Sequence, residues 1–193
     1  MGSTLILYMK KVLPVSFFDR PTLDIARDMP GMYLVRRWRG KERALLIAEV
    51  EAYDGPRDRA SHARHGRTPR TKIMFGPAGR WYVYFTYGMH WLVNIVTGPE
   101  DYPAAVLVRA GIYYDANRRK RIPVNGPARL TKFLHIGKAQ NGKIASQKNG
   151  LWIEDRGRKT DQKNIVAGKR IGVDYAGRIW KNKPYRFTVR KFF

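Results

Sequence analysis

Residues 80–96 alternate their side chains in the pattern of two β-strands joined by a tight reversal. On the first arm Tyr82, Tyr84 and Thr86 fall on one face, and Trp81, Val83, Phe85 and Tyr87 on the other. On the return arm His90, Leu92 and Asn94 oppose Trp91, Val93 and Ile95. Aromatic and β-branched residues suit a half-buried pleated surface, and Gly88 supplies the backbone freedom that a reversal needs. With Tyr87 and Met89 at its tip, the hairpin has the form of a probe that wedges between stacked bases. The same aromatics also fit an ordinary sheet core.

A second hairpin precedes it. Residues 32–38 and 44–53 read as strands across the polar turn at 39–42. In the second of these, strict alternation puts Leu46, Ala48, Val50 and Ala52 on one apolar face. Leu45, Ile47, Glu49, Glu51 and Tyr53 fall on the other. Glu49 and Glu51 then share a face with their Cα atoms about 6.5–7 Å apart. Two such carboxylates either line a solvated strand face or, where partly buried, push one of the pair to a higher pKa. Residues 104–110 read as a buried strand carrying one cation, Arg109. A buried arginine needs an acceptor, and Glu51 is chemically available.

The remaining elements are shorter. Thr22 is the expected N-cap of a helix with Leu23, Ile25 and Ala26 inward, stopped by Pro30-Gly31. Residues 128–136 read as a helix with Leu130, Phe133 and Leu134 inward. Residues 151–154 and 185–189 read as strands, and 164–173 as a strand or bend. Residues 1–18 form an arm expected to dock on the core. No repeat, low-complexity segment or linker interrupts the chain, so residues 1–193 are expected to form one domain.

Charge changes the picture. The 193 residues carry 38 Lys and Arg against 15 Asp and Glu, a net +23, and 44% are hydrophobic. This describes a globular protein with a polyanionic partner, nucleic acid rather than a membrane surface. A membrane partner would call for an amphipathic basic helix or a lipidation signal. The absence of cysteine excludes disulfides, cysteine nucleophiles and thiolate metal sites. The early apolar run at residues 5–9 is too short for a signal-peptide core or a membrane span, so an intracellular location is expected. Residues 57–80 hold seven Arg or Lys and one Asp, the composition of a phosphate-contacting loop with one histidine, His62 or His65, turned toward a ligand. His62 and His65 lack the further ligands a metal site requires. A separate basic run stands at Arg118, Arg119, Lys120 and Arg121.

Glu49-Val50-Glu51-Ala52-Tyr53, His62, the Tyr84/Tyr87 hairpin and Arg109 together resemble the 3-methyladenine (alkyladenine) DNA glycosylases of the mammalian type. The likeness runs from Phe17 to Val189. It takes in Phe17-Phe18-Asp19, Leu34-Val35-Arg36-Arg37, Thr68-Pro69-Arg70, Met74-Phe75-Gly76-Pro77, Tyr82-Val83-Tyr84, Tyr87-Gly88-Met89, Gly126-Pro127 with Leu130, and Pro184 with Phe187. The resemblance implies an α+β fold: a curved, mostly antiparallel, open-barrel-like sheet with flanking helices and a protruding β-hairpin. It implies a monomeric, metal-independent and cofactor-free enzyme. That enzyme flips alkylated or deaminated purines (3-methyladenine, 7-methylguanine, hypoxanthine, ethenoadenine) out of double-stranded DNA and hydrolyses them away, without strand cleavage.

Residue by residue, Glu51 matches the family's general base and Arg109 the residue that helps hold the attacking water. A main-chain carbonyl of Gly172-Val173 completes the water's cage. Tyr53, His62 and Tyr84 match the pocket around the flipped base, Tyr87 the intercalating wedge, and Asn94 the residue that crowds the 2-amino group of guanine. Two stretches depart from the family pattern: Met29-Pro30-Gly31, and Thr71-Lys72 after Thr68-Pro69-Arg70. Both lie outside the matched pocket and bear on backbone contacts. The residues themselves leave two other readings open. One is a non-catalytic basic nucleic-acid-binding module, which would bind in a salt-sensitive way without chemistry. The other is a different hydrolase built on the Glu49/Glu51 pair.

Overall fold

The computed structural model describes residues 10–157 and 160–190; the apolar run at 5–9 lies outside them. Ten strands join in one antiparallel sheet: β1 (Lys11–Val12), β2 (Tyr33–Trp38), β3 (Lys41–Tyr53), β4 (Trp81–Thr86), β5 (His90–Val96), β6 (Ala105–Asp115), β7 (Lys120–Asn125), β8 (Leu151–Asp155), β9 (Ile165–Gly168) and β10 (Arg186–Val189). The helices α1 (Val15–Phe18), α2 (Thr22–Asp28), α3 (Pro127–Phe133) and α4 (Gly177–Lys181) flank it. The expected α+β class with a curled antiparallel sheet is what the chain forms. Among the described residues no helix is long and apolar enough to cross a membrane.

The sheet forks at its two longest strands. Strands run β1-β8-β2-β3-β6-β5-β4. The first half of β3 pairs with β2, from Trp38↔Lys41 to Tyr33↔Leu46. Its second half pairs instead with β10, from Thr188↔Glu49 to Arg186↔Glu51. On the other side β6 pairs with β5 through residues 105–107 and with β7 through 110–115. Each central strand therefore changes partner midway, and the sheet curls around the change.

At the same level the β3–β6 ladder is irregular between Ile47 and Val50, and regular pairing resumes at Val50↔Val108. This interruption reverses the alternation. Leu45 and Ile47 lie in one apolar cluster with Val50 and Ala52, not on the face of Glu49 and Glu51 as strict alternation predicts. A bulge adds one residue to the count, so the faces exchange across it. The strand thus keeps an apolar inward face from Leu45 to Ala52. Its acidic end turns to the opposite side with Tyr53. Gly111, opposite Ile47, permits the close approach: a Cβ there would stand 2.1 Å from Leu45 Cδ2 and 2.6 Å from the Leu46 carbonyl oxygen.

The large cluster also takes Trp81, Val83, Val93 and Ile95 from the probe hairpin, Val106 and Val108 from β6, and Leu130 and Leu134 from α3 and its end. The other hairpin face supplies Tyr82 to a second cluster with Ala63, Met74 and Ala105, against which Tyr84 packs. Both faces of the hairpin's root are therefore committed, while its tip is free. Tyr87 (φ 51°) and Gly88 (φ 66°), both with positive φ, are the central residues of a turn closed by the Met89 N–H on the Thr86 carbonyl at 3.2 Å.

Three elements differ from the periodicity reading. Thr22 does not cap α2: Pro21 holds the N-cap position, and the buried Thr22 hydroxyl accepts from Thr97 Oγ1 at 3.1 Å. β7 is an additional strand, running through the basic residues 120–121 and Pro123; proline is tolerated there because no further strand pairs beyond it. α4 is a single short helix in a stretch with no apolar periodicity.

Candidate active site

A cavity of about 290 Å³ opens beside the probe hairpin, a size suited to a small planar ligand. Tyr82, Tyr84, Leu92 and Asn94 line it from β4 and β5. This follows from cross-strand pairing, since Tyr82↔Asn94 and Tyr84↔Leu92 are direct partners. β3 supplies Tyr53, β6 supplies Leu107 and Arg109, and the first residues of α3 close one side. His62 enters from a short 3₁₀ turn at His62–His65, started by Ser61, whose hydroxyl accepts from the Ala63 N–H at 3.1 Å. Ile171, Gly172 and Val173 enter from the loop after β9.

Glu51 sits behind this wall, fully buried. Its Oε2 accepts from the Tyr53 hydroxyl at 3.0 Å and from Arg109 Nη1 at 3.1 Å; its Oε1 accepts from the Ile171 N–H at 2.7 Å. Three of its hydrogen-bond partners are thus cavity-lining residues. Burial raises the Glu51 pKa above the usual carboxylate range, against the opposing pull of Arg109, the Ile171 N–H and Tyr53. Glu49 has different company: Arg109 Nε at 2.8 Å, Arg186 Nη1 at 3.2 Å and Thr188 Oγ1 at 3.3 Å. Arg109 therefore bridges the two glutamates from across the irregular ladder. Of the two carboxylates, Glu51 is the one bonded to three cavity-lining residues.

The aromatic walls are held in fixed orientations. The His62 ring meets Tyr84 edge-on, with centroids 4.7 Å apart and planes at 81°, and its Nδ1 lies 3.2 Å from the Tyr82 hydroxyl. Burial, helped by Arg70 and Arg64, lowers the His62 pKa to about 4, so the imidazole is neutral near neutral pH. Burial also raises the Tyr53 and Tyr84 hydroxyls, keeping both as donors. Arg70 stands over the Tyr84 ring, its Cζ 4.8 Å from the centroid. A neighbouring cleft shares Ser61, His62 and Tyr175 with the cavity and adds Arg64, Arg70, Thr68 and Thr71, a lining of cations and hydroxyls suited to phosphate oxygens.

The structure brings Tyr53, His62, Tyr84, Asn94, Arg109 and Val173 to one cavity, with Glu51 immediately behind it and Tyr87 at its rim. Tyr87 is 83% exposed. Asn94 is buried and donates through Nδ2 to the Tyr82 carbonyl at 3.0 Å, which fixes its amide against the wall. The Val173 carbonyl accepts from the Ala176 N–H at 3.0 Å. Ile171 has no signature in the sequence because it reaches Glu51 through its backbone N–H. Among the described residues no group of three or more His, Cys, Asp or Glu is placed to hold a metal ion; His65 Nε2 accepts instead from Arg64 Nε at 2.7 Å.

The family model for methylpurine-DNA glycosylases (MPG) matches residues 16–192. The chain belongs to this family. A relative from Anaeromyxobacter dehalogenans (strain 2CP-1), named "Putative 3-methyladenine DNA glycosylase", is 43% identical over 178 residues, covering 92% of this chain and 82% of its own length. Relatives of the same name from Methanocella arvoryzae and Myxococcus xanthus are each 42% identical over 186 residues, covering 91% and 92% of this chain and 91% and 90% of their own lengths. This methylpurine-DNA glycosylase is accordingly a DNA N-glycosylase, a hydrolase of base excision repair that acts on DNA.

Proposed function

We propose that the enzyme flips alkylated and deaminated purines, among them 3-methyladenine, 7-methylguanine, hypoxanthine and ethenoadenine, out of duplex DNA and hydrolyses them away, leaving an abasic site. The observation that carries this reading is the fully buried Glu51 behind an aromatic cavity, hydrogen-bonded to the cavity residues Tyr53, Arg109 and Ile171. Tyr87, exposed on its turn, fills the gap left in the stack; unstacking costs a few kcal/mol, offset by the wedge and by phosphate contacts from the basic loop. The flipped base lies among Tyr53, His62 and Tyr84. Electron-poor alkylated purines stack well on such rings, and a cationic base gains a further cation–π attraction. Neutral His62 hydrogen-bonds the base edge, and Asn94 crowds the 2-amino group of normal guanine.

Glu51 acts as general base. A water oxygen, held between Glu51, Arg109 and a main-chain carbonyl of Gly172-Val173, bonds to C1′ of the sugar. The glycosidic C–N bond breaks with its electron pair going to the departing base. The water proton passes to Glu51, whose raised pKa suits it to receive one. Before that transfer the carboxylate also stabilises the positive charge growing on the sugar. No lysine stands in the matched catalytic positions, so the chemistry is simple hydrolysis without strand cleavage. We read the protein as one domain, monomeric and intracellular with its DNA.

The test is single-turnover release of hypoxanthine and of a panel of alkylated purines from duplex oligonucleotides in EDTA. Wild type is expected to release base and Glu51→Gln to lose at least 100-fold (~2.7 kcal/mol). Tight duplex binding with no release from any lesion would overturn the proposal in favour of a binding module.

A further inference from the structure

The roles above leave unused the buried ion pair between Asp58 and Arg170, whose side chains have no exposure. Such a pair contributes little to stability beyond what apolar packing of the same volume supplies, so its purpose is to be sought in what it touches. Arg170 grips both carboxylate oxygens of Asp58, Nη2 reaching Oδ1 at 2.9 Å and Nη1 reaching Oδ2. Nη1 also donates to the Ala52 carbonyl at 2.8 Å, and Nη2 to the Trp180 carbonyl at 3.3 Å. Its Cζ lies 4.9 Å from the Tyr53 ring centroid and 5.2 Å from that of Tyr185. Nε is buried without a partner among the described residues. Stacking against the rings and the fork on Asp58 thus outweigh full hydrogen-bonding. Asp58 in turn accepts from the Asp54 N–H at 3.1 Å and the Ala60 N–H at 3.0 Å.

These contacts converge on the three walls of the cavity. Ala52 precedes Tyr53, Ala60 leads into Ser61 and His62, and Arg170 precedes Ile171, the N–H donor to Glu51. Arg170 itself does not line the cavity, so it covers Tyr53 from outside and leaves the inner face to a ligand. We propose that Arg170, clamped by Asp58, is a positioning residue for excision, setting the Tyr53 ring and the Ile171 N–H on Glu51 in the same act. The inference rests on the reading of Glu51 and Tyr53 given above. Displacing a stacking ring or a hydrogen bond to the base by about 1 Å is enough for a loss near 100-fold.

The test compares Arg170→Lys, which keeps the charge and loses the fork, with Asp58→Asn, which keeps the shape and loses the charge. Both are read at 25 °C after thermal unfolding has confirmed folded protein, and if one fails to fold the other decides. Single-turnover release is expected to fall 10- to 100-fold, while affinity for undamaged duplex changes less than two-fold. The acid limb of the pH–rate profile is expected to move to higher pH, because a weakened Ile171 N–H bond removes one of the influences holding the Glu51 pKa down. The other groups facing Glu51 stay in place, Glu49 on its own strand and Arg109 from β6, while a displaced Tyr53 hydroxyl, which also holds the Glu51 pKa down, moves the limb in the same direction. Wild-type rates and an unmoved limb in a folded variant would overturn the inference, as would a rate loss matched by an equal loss of duplex affinity. Failure of the wild type itself to release any base would instead overturn the proposed function.

Discussion

Replacing Arg109 by methionine is expected to make stability strongly pH-dependent. Arg109 is 12% exposed and serves Glu49 at 2.8 Å and Glu51 at 3.1 Å, themselves 13% and 0% exposed. Removing one partner of a buried pair costs about 3–5 kcal/mol, because the remaining charge stays desolvated. Glu49 keeps Arg186 and Thr188, and Glu51 keeps Tyr53 and the Ile171 N–H. The low end, about 3 kcal/mol at pH 8, is therefore expected. Methionine retains most of the apolar stem, so the loss is chiefly electrostatic.

The sign follows from proton linkage. Glu51 already has a raised pKa in the folded protein, with burial as the largest cause and Arg109 opposing it. Without Arg109 it rises further. A carboxylate whose folded pKa exceeds its unfolded value binds more protons when folded, so stability falls as pH rises from the unfolded pKa through the folded one. The gap between variant and wild type is thus full at pH 8. It narrows as pH falls through the variant's Glu51 pKa toward the wild type's, each pKa unit being worth about 1.4 kcal/mol. Urea unfolding followed by tryptophan fluorescence at several pH values between 5 and 8 measures the gap directly. A double-mutant cycle with Glu51→Gln should show a coupling of about 1–3 kcal/mol. A loss below about 1 kcal/mol at pH 8, or a gap that stays constant with pH, would refute this account of the carboxylate pair.

Three further outcomes are expected. Gly111→Ala would place a Cβ 2.6 Å from the Leu46 carbonyl oxygen and should destabilise by about 1–3 kcal/mol in the same urea assay; a neutral result would mean that the β3–β6 ladder yields more easily than its packing implies. Tyr87→Gly relieves a positive φ at an exposed position, so the melting temperature should hold or rise while excision from duplex falls and release from single strands falls less. Equal losses on both substrates would remove Tyr87 from the flipping step. Imidazole carbon shifts should place the His62 titration near pH 4, and a midpoint above 6 would show the ring to be better solvated than its surroundings here imply.

Much of this architecture is written in side-chain periodicity. The probe hairpin, the β2–β3 hairpin and the inward face of α3 follow from alternation or helical spacing, and the resemblance carried the family. What escaped did so for physical reasons. Alternation cannot register the interruption at Ala48, so it puts Leu45 and Ile47 on the acidic face, although they pack with Val50 and Ala52. β7 is disguised by its charges and Pro123, which an outer strand accepts and a central one would not. Thr22 has the chemistry of a cap, but Pro21 occupies that place and the hydroxyl turns inward to Thr97. Of the site, the glutamate pair, Arg109 and the aromatic hairpin stand out by type and spacing, whereas Tyr53, His62 and Asn94 enter through the resemblance. The Ile171 N–H and the Asp58–Arg170 pair do not stand out, since one is backbone and the other joins residues 112 positions apart.

The forked sheet has a consequence for how the protein is made. Glu51 lies in the first third of the chain, yet its Oε1 is satisfied by Ile171, and its neighbour Glu49 by Arg186 and Thr188. A nascent chain emerging from the ribosome carries both glutamates long before their partners exist, and until β10 docks the second half of β3 has one edge uncovered. Synthesis must therefore run almost to the last described strand before both glutamates have all of these partners. The chain that first exposes its basic loop is one whose acidic strand end still lacks its late partners.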